Sequence, residues 1–280
     1  MIITVMKMDV KICGENIVLE NTDNFDLALS LDCGQAFRWR CDENGCWQGV
    51  VNGKFLKLNQ QGNTITLYDT SIDDFNGLWK VYFDLDRNYN EIISTYKDKS
   101  LEEACKAFPG IRILKQDEWE AICSFIISAN NNIPRIKGII DRFCESFGEK
   151  AGESYSFPTA QRISKLTVED LAPIRAGFRA KYIIDAAQKI SSNQVDIEKI
   201  KALSFEEAKS ELLKIKGVGE KVAQCALLYG FGRYEAFPVD VWVKRILAEL
   251  YPDGFPEEYR ETQGIAQQYL FHWRRSLSHD

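Results

Sequence analysis

The stretch Leu212–Gly230, LLKIKGVGEKVAQCALLYG, decides how the second half of this 280-residue chain is read. With the residues before it, it reads as helix, tight turn, helix. Gly217 and Gly219 allow positive φ and close approach of a foreign backbone. The N–H groups that open the second helix suit a phosphate. Lys221 enters the first turn of that helix, and Cys225, four residues on, shares its face. As a dinucleotide loop the GxG is weak, because the third glycine and the preceding strand are missing. A plain structural corner and a phosphate-gripping helix–hairpin–helix both stay open on these residues alone.

Downstream, the loop GFGRYEAF leads into PVDVWVKRI. Pro238 and Asp240 precede an apolar run, so Asp240 is a natural N-cap. A carboxylate is thereby expected near the lysine helix.

The net charge of −6 excludes a protein coated in positive charge but not a local basic groove. Arg175, Arg179, Lys181 and Lys189 face only Asp185 between residues 171 and 190. Arg135, Lys137 and Arg142 face only Asp141 between residues 133 and 142. The 8 cysteines form no CxxC pair and the 2 histidines lie at the C-terminal end, a pattern that predicts no zinc site. No cysteine follows Cys225, so a C-terminal iron–sulfur cluster is not expected either. Asp9 comes too soon for a signal peptide and no apolar run spans a bilayer. Free thiols without a secretory signal predict a cytoplasmic protein that binds no membrane.

Upstream, the first third reads as sheet. AFRWRC, CWQGVV, FLKLNQ and TITLYD are rich in aromatic and β-branched residues, and Asn52-Gly53 is a hairpin signal. Ile65 and Leu67 alternate with threonine, as a half-buried strand requires. From about Phe75 the pattern turns helical. Asp117 followed by Glu120 predicts a capped start for WEAICSFII, and Pro134 stands just inside the next helix. Sheet followed by helices predicts an α+β chain, with a sheet domain over 1–116 and a helical domain over 117–280.

KGVGEKVAQCALL followed by AFPVDVWVKRI resembles the helix–hairpin–helix and Gly/Pro-Asp signature of base-excision DNA glycosylases. Cys225 and the ordered blocks CGQAFRW, FIISANNNIPRI, GFRAKYI and IAQQYLF narrow the resemblance to the 8-oxoguanine DNA glycosylase/lyase branch, from about Asp26 to Phe271. The resemblance implies an N-terminal antiparallel, TBP-like sheet domain and an all-helical glycosylase domain. It implies a monomer acting on double-stranded DNA that carries 8-oxoguanine opposite cytosine, in the nucleoid of a prokaryote or the nucleus of a eukaryote.

Lys221 is then the expected nucleophile at C1′, giving a Schiff base and strand cleavage by β-elimination. Asp240 is expected to stabilise the oxocarbenium-like charge on the sugar. An ordinary lysine has a pKa of about 10.4, so the role calls for burial to favour the free amine. For the extruded base, the resemblance implies a Gly34 carbonyl that accepts from N7–H of the lesion and repels the lone pair of guanine. It implies a slot walled by Cys225 and Phe271, and a Watson–Crick edge read by Gln267 and the Pro238 carbonyl. Asn130, leading Asn131 and Asn132, is expected to fill the hole in the duplex. Arg135 and Arg179 are expected to read the orphan cytosine, and Phe178 to wedge between base steps.

Phe178 stands where many relatives carry tyrosine, Trp242 where many carry histidine, and Lys216 where proline is common. No cofactor is expected beyond a structural cation that the backbone of the Gly217–Gly219 hairpin could hold. Two other readings fit fewer of the blocks. A glycosylase for alkylated bases usually lacks the lysine, and a noncatalytic helix–hairpin–helix module would bind DNA without turnover.

Overall fold

Alternation at the start of the chain produces one six-stranded antiparallel sheet, in the computed structural model that describes residues 8–277. The N-terminal residues 1–7, where no signal peptide was expected, and His279 lie outside the described residues. The strands are β1 (Asp9–Cys13), β2 (Asn16–Glu20), β3 (Arg40–Cys41), β4 (Trp47–Val51), β5 (Lys54–Gln61) and β6 (Thr64–Tyr68), in the order β1-β2-β6-β5-β4-β3. Ile17 and Leu19, Leu56 and Leu58, and Ile65 and Leu67 bury one face, as a period of two residues requires. Asn52 (φ 48°) and Gly53 (φ 76°) make the expected turn with positive φ at both positions.

Two elements depart from the reading of the sequence. β1 and β2 were not among the named strands, although Ile17 and Leu19 alternate within NIVLE. AFRWRC becomes strand only at Arg40–Cys41. Its earlier residues are pinned by side chains instead of a ladder: the Arg40 guanidinium donates to the carbonyls of Phe37 (2.8 Å) and Trp39 (2.9 Å).

Two compact units form. Among the described residues the first holds those up to Gly49, Leu56–Lys115, and the chain from Val241 onward. The second holds Val50–Phe55 and Gln116–Asp240. In the first, Trp39 donates to the Tyr82 hydroxyl (2.7 Å) within an aromatic core that includes Phe25, Trp79 and Phe83. Arg112, 1% exposed, donates to the carbonyls of Phe83, Asn24 and Arg87 and stacks 4.2 Å from the Tyr89 ring centre. The C-terminal helices Val241–Leu250 and Gln263–Ser276 belong to this unit. The Tyr269 hydroxyl donates to the Ile111 carbonyl (3.0 Å), and Phe108 meets His272 edge-on at 4.5 Å. Sequence periodicity shows that a helix has an apolar face but not which partner receives it.

Apart from the tip of the β4–β5 hairpin and a two-stranded ribbon, Lys150–Ala151 with Ser154–Tyr155, the regular elements of the second unit are helices. The Phe55 ring packs on Gly152 so closely that a Cβ there would lie 2.6 Å from it. That contact explains why the tip of the β4–β5 hairpin belongs to this unit.

Candidate active site and nucleic-acid interface

The helix Phe205–Leu212, the turn through Gly219 and the helix Glu220–Tyr229 form the expected helix–hairpin–helix. Only one of its glycines uses positive φ. Gly217 sits at φ 84°, and a Cβ there would lie 2.4 Å from the Tyr182 ring. Gly219 is extended (φ −99°, ψ −177°) with open space around it, and it caps the lysine helix without a side chain. The first N–H groups of that helix have no intrahelical acceptor, and a glycine cap leaves them accessible. Val218 N–H closes the turn on the Ile215 carbonyl at 3.1 Å. Glu220, the acidic residue nearest these donors, is tied to Lys209 (3.2 Å).

Lys221 is half-buried against the helix Glu118–Ser128, whose start Asp117 caps through Glu120 N–H (2.8 Å). Its Nζ lies 3.4 Å from Ser128 Oγ and 5.2 Å from the centre of the Phe125 ring, a cation–π distance. Phe125 is held in turn by stacking on Tyr229 at 5.2 Å. Burial pushes the Cys225 thiol pKa up, the neighbouring Lys221 opposes the rise, and Asp240 adds to it. Lysine, thiol and carboxylate therefore share one electrostatic environment, in which Cys225 stays a neutral thiol at pH 7. Asp240 immediately precedes the helix that starts at Val241. Gln224 Oε1 accepts Phe237 N–H (2.9 Å), which fixes the loop that carries Pro238 and Asp240.

Ser128, Phe125 and Gln224 were not picked out from the sequence. The signal for the first two lay in FIISANNN, where residues three apart share a helix face. Gln224 had only its place on the lysine helix to mark it.

The triple asparagine divides its work. Asn132 caps the helix Ile133–Phe147 through Arg135 N–H (3.0 Å), and Asn131 donates to the Ile127 carbonyl (3.1 Å). Asn130, exposed and at φ 50°, leads the turn. Arg179 lies beneath it, 2% exposed, and donates to the carbonyls of Ala129 (2.9 and 2.6 Å), Asn130 (2.8 Å) and Ala176 (3.3 Å). Burial first, and then the charge of Arg135, lower its pKa from the usual guanidinium value. Phe178 is 52% exposed with its ring 4.4 Å from the Arg179 guanidinium. Arg142 and Lys189 also face inward, onto the carbonyls of Ile174 (3.1 Å) and Lys214 (2.6 Å). Arg135, Arg175 and Lys181 remain exposed, so only part of the basic clustering in the sequence is free to meet a phosphate.

In the first unit, Gly34 (φ 88°) follows the short helix Leu27–Leu31. Gln35, completely buried, donates to the carbonyls of Ser30 (2.9 Å) and Arg112 (2.7 Å) and accepts Leu114 N–H (2.9 Å). Gln268 reaches the Cys33 carbonyl at 3.4 Å, joining the Gly34 turn to the helix that carries Gln267 and Phe271. Gln267 is 4% exposed, and its Oε1 has no hydrogen-bond partner among the described residues. Leaving such an acceptor unsatisfied costs about 1–3 kcal/mol, so it is suited to a donor brought by a ligand. Phe271 is half-buried with the Arg275 guanidinium 5.3 Å from its ring, and Trp242 is matched by Arg245 at 5.2 Å. Among the described residues, no group of three or more His, Cys, Asp and Glu side chains could hold a metal ion. None of the described helices is long and apolar enough to cross a membrane.

Residues 17–122 match the family model for the N-terminal domain of 8-oxoguanine DNA glycosylase, and residues 123–269 match that for the HhH-GPD superfamily of base excision DNA repair proteins. An N-glycosylase/DNA lyase of Saccharomyces cerevisiae is 33% identical, over 81% of this chain and 68% of that protein. The Clostridium acetobutylicum 8-oxoguanine glycosylase/lyase, in complex with double-stranded DNA containing cytosine opposite 8-oxoguanine, superposes with a TM-score of 0.90 at 37% identity. That match covers 98% of this chain and 100% of the other. MBOgg1, in complex with a low-affinity DNA ligand, gives a TM-score of 0.91 at 40% identity with the same coverage.

Proposed function

The chain belongs to the 8-oxoguanine DNA glycosylase/lyase branch of the HhH-GPD superfamily, and from that premise we propose that Lys221 and Asp240 carry its chemistry. It is a bifunctional base-excision enzyme, a DNA N-glycosylase and abasic-site lyase acting on 8-oxoguanine. The observation that carries the residue assignment is the setting of Lys221. A half-buried amine lies beside an aromatic face and a hydroxyl, with a neutral thiol and a carboxylate in its field.

In this reading the free amine of Lys221 bonds to C1′ as the glycosidic bond breaks, and the base leaves with the electron pair and takes up a proton. Once the bonded nitrogen has given up a proton, its lone pair opens the sugar ring, and O4′ leaves with the bonding pair and takes up a proton as the Schiff base forms. Loss of a C2′ proton expels the 3′ phosphate. Asp240 is a fixed negative charge facing the sugar as positive charge develops. Gly34, Gln267, Phe271, Cys225 and Pro238 bind the extruded base, with Gln267 Oε1 accepting from its edge. Asn130, Arg135, Phe178 and Arg179 serve the duplex opposite cytosine, and Trp242 lines the DNA-binding surface beyond Asp240. The N–H groups that open the lysine helix after Gly219 grip one phosphate.

The reaction then needs no cofactor. A hairpin cation would be structural and held by backbone carbonyls, of which that of Lys214 already accepts the Lys189 amine. We further propose that the enzyme acts as a monomer, in the compartment that holds the DNA: nucleoid, cytoplasm or nucleus.

The test is borohydride trapping on a duplex carrying 8-oxoguanine opposite each base in turn. A covalent adduct is expected with the native chain and none with Lys221→Gln. An adduct that survives Lys221→Gln overturns the assignment.

A further inference from the structure

The helix Ala180–Ser191 presents Tyr182, Asp185 and Lys189 on one face, at spacings of three and four residues. Each of them meets the hairpin between residues 214 and 217 by a different means. The Tyr182 ring lies directly beneath Gly217. Asp185 Oδ2 accepts Lys216 N–H at 2.8 Å and pairs with Lys189 Nζ at 2.9 Å. Lys189 Nζ also donates to the Lys214 carbonyl at 2.6 Å. The side chain of Asp185 is 15% exposed, whereas that of Lys216 is 77% exposed, with its amine 3.8 Å from Asp185.

We propose that Asp185 is a positioning residue, which locks the backbone of the phosphate-gripping hairpin from beneath through the Lys216 N–H. The inference rests on the reading of the hairpin as a phosphate grip. Gly217 and Gly219 give this turn more conformational freedom than any other residues would. Donors must be held in place beforehand if ordering them is not to weaken binding. Lys216 supplies an N–H that a proline at this position would lack, and Asp185 uses it to stiffen the turn by a bond instead of a ring. With Lys216 N–H turned inward to Asp185 and Val218 N–H turned back to Ile215, the donors left for phosphate are those that open the lysine helix.

The test measures affinity of the full chain for an undamaged duplex and for one carrying 8-oxoguanine opposite cytosine, with a melting curve for every variant. Because phosphate contacts carry no sequence information, Asp185→Ala should weaken both duplexes alike, by about fivefold. Excision at saturating enzyme should fall less than affinity does. Asp185→Asn, which keeps an oxygen to accept the N–H, should stay within about twofold of the native chain. In a Lys216→Pro background the N–H is gone, and Asp185→Ala should have no further effect.

Unchanged or tighter binding by Asp185→Ala, while Gly217→Ala binds weakly, overturns the positioning role and leaves the hairpin reading intact. Unchanged binding by Gly217→Ala as well overturns both. An equal loss from Asp185→Ala with and without the Lys216 N–H, accompanied by a lower melting temperature, assigns Asp185 to general stability and also overturns the proposal.

Discussion

The Gly34 turn of the first unit and the Asn130 turn of the second both place a residue at positive φ, and both rest on a buried polar side chain. Gln35 supports the first and Arg179 the second. The neutral amide of Gln35 donates and accepts, and its partners Ser30, Arg112 and Leu114 lie inside the same core. Arg179 can only donate, and its acceptors include the carbonyls of Ala129 and Asn130, in a turn that faces solvent. An amide can seal a turn into an interior without bringing charge. A guanidinium shapes an exposed turn and leaves positive charge beneath it. The first turn is thus part of the fold itself, and the second is adjustable at modest cost in stability.

The largest expected effect breaks the first turn. Gln35→Leu strands two carbonyls and one N–H in a dry site. The chain should lose on the order of 3 kcal/mol, or about 5 °C in melting temperature. A loss below about 1 kcal/mol would mean that water replaces the amide and that the two turns are alike.

Next comes Arg179→Met. The Ala129 and Asn130 carbonyls it frees lie in a turn that faces solvent, where water can replace the guanidinium, so stability should fall by only about 1 kcal/mol. Excision of 8-oxoguanine should slow about tenfold opposite every base, since the Asn130 turn is no longer held. A loss confined to duplexes with cytosine opposite the lesion would reduce Arg179 to a reader of that base.

The smallest effect concerns pH and the first unit alone. Burial, then the charge of Arg275, lower the His272 pKa below its ordinary value, against the pull of Asp26. The native state therefore binds fewer protons than the unfolded chain, and the stability from this group is complete above the usual histidine range of about 6.5. It is lost as pH falls through the lower folded pKa. Between pH 7 and pH 5, melting temperature should drop further for the native chain than for His272→Phe, by on the order of 1 °C. Equal drops would show that the contact between Phe108 and His272 adds no pH dependence.

Much of the molecule was legible because its causes are local. The Asn52-Gly53 turn, the Asp117 cap and the alternation of Ile65 and Leu67 each depend on residues within a few positions. The hairpin was legible for the same reason, although only Gly217 needs its glycine for φ, while Gly219 leaves helix N–H groups open. AFRWRC misled because Arg40 satisfies by side chain the carbonyls a strand would pair across a ladder. CGQAFRW pointed to Gly34, yet the residue that holds that turn is its neighbour Gln35, a lone polar residue in an apolar run. Ser128 and Phe125 went unnoticed because they face Lys221 from another helix, 93 residues away in the case of Ser128.

By itself the sequence determined the order of sheet and helices, the glycine turn and the presence of a lysine and a carboxylate suited to the chemistry. Propensity, capping and side-chain type act within one or two turns of chain. Only the tertiary structure decided that Arg179 and Lys189 turn inward while Arg135 and Lys181 stay out. It also decided that Asn131 and Asn132 serve their own turn, and that the last two helices pack with the sheet unit. Burial and hydrogen-bond partnership depend on which distant segments meet, and a charge count along the chain is the same whether an arginine faces a carbonyl or the solvent.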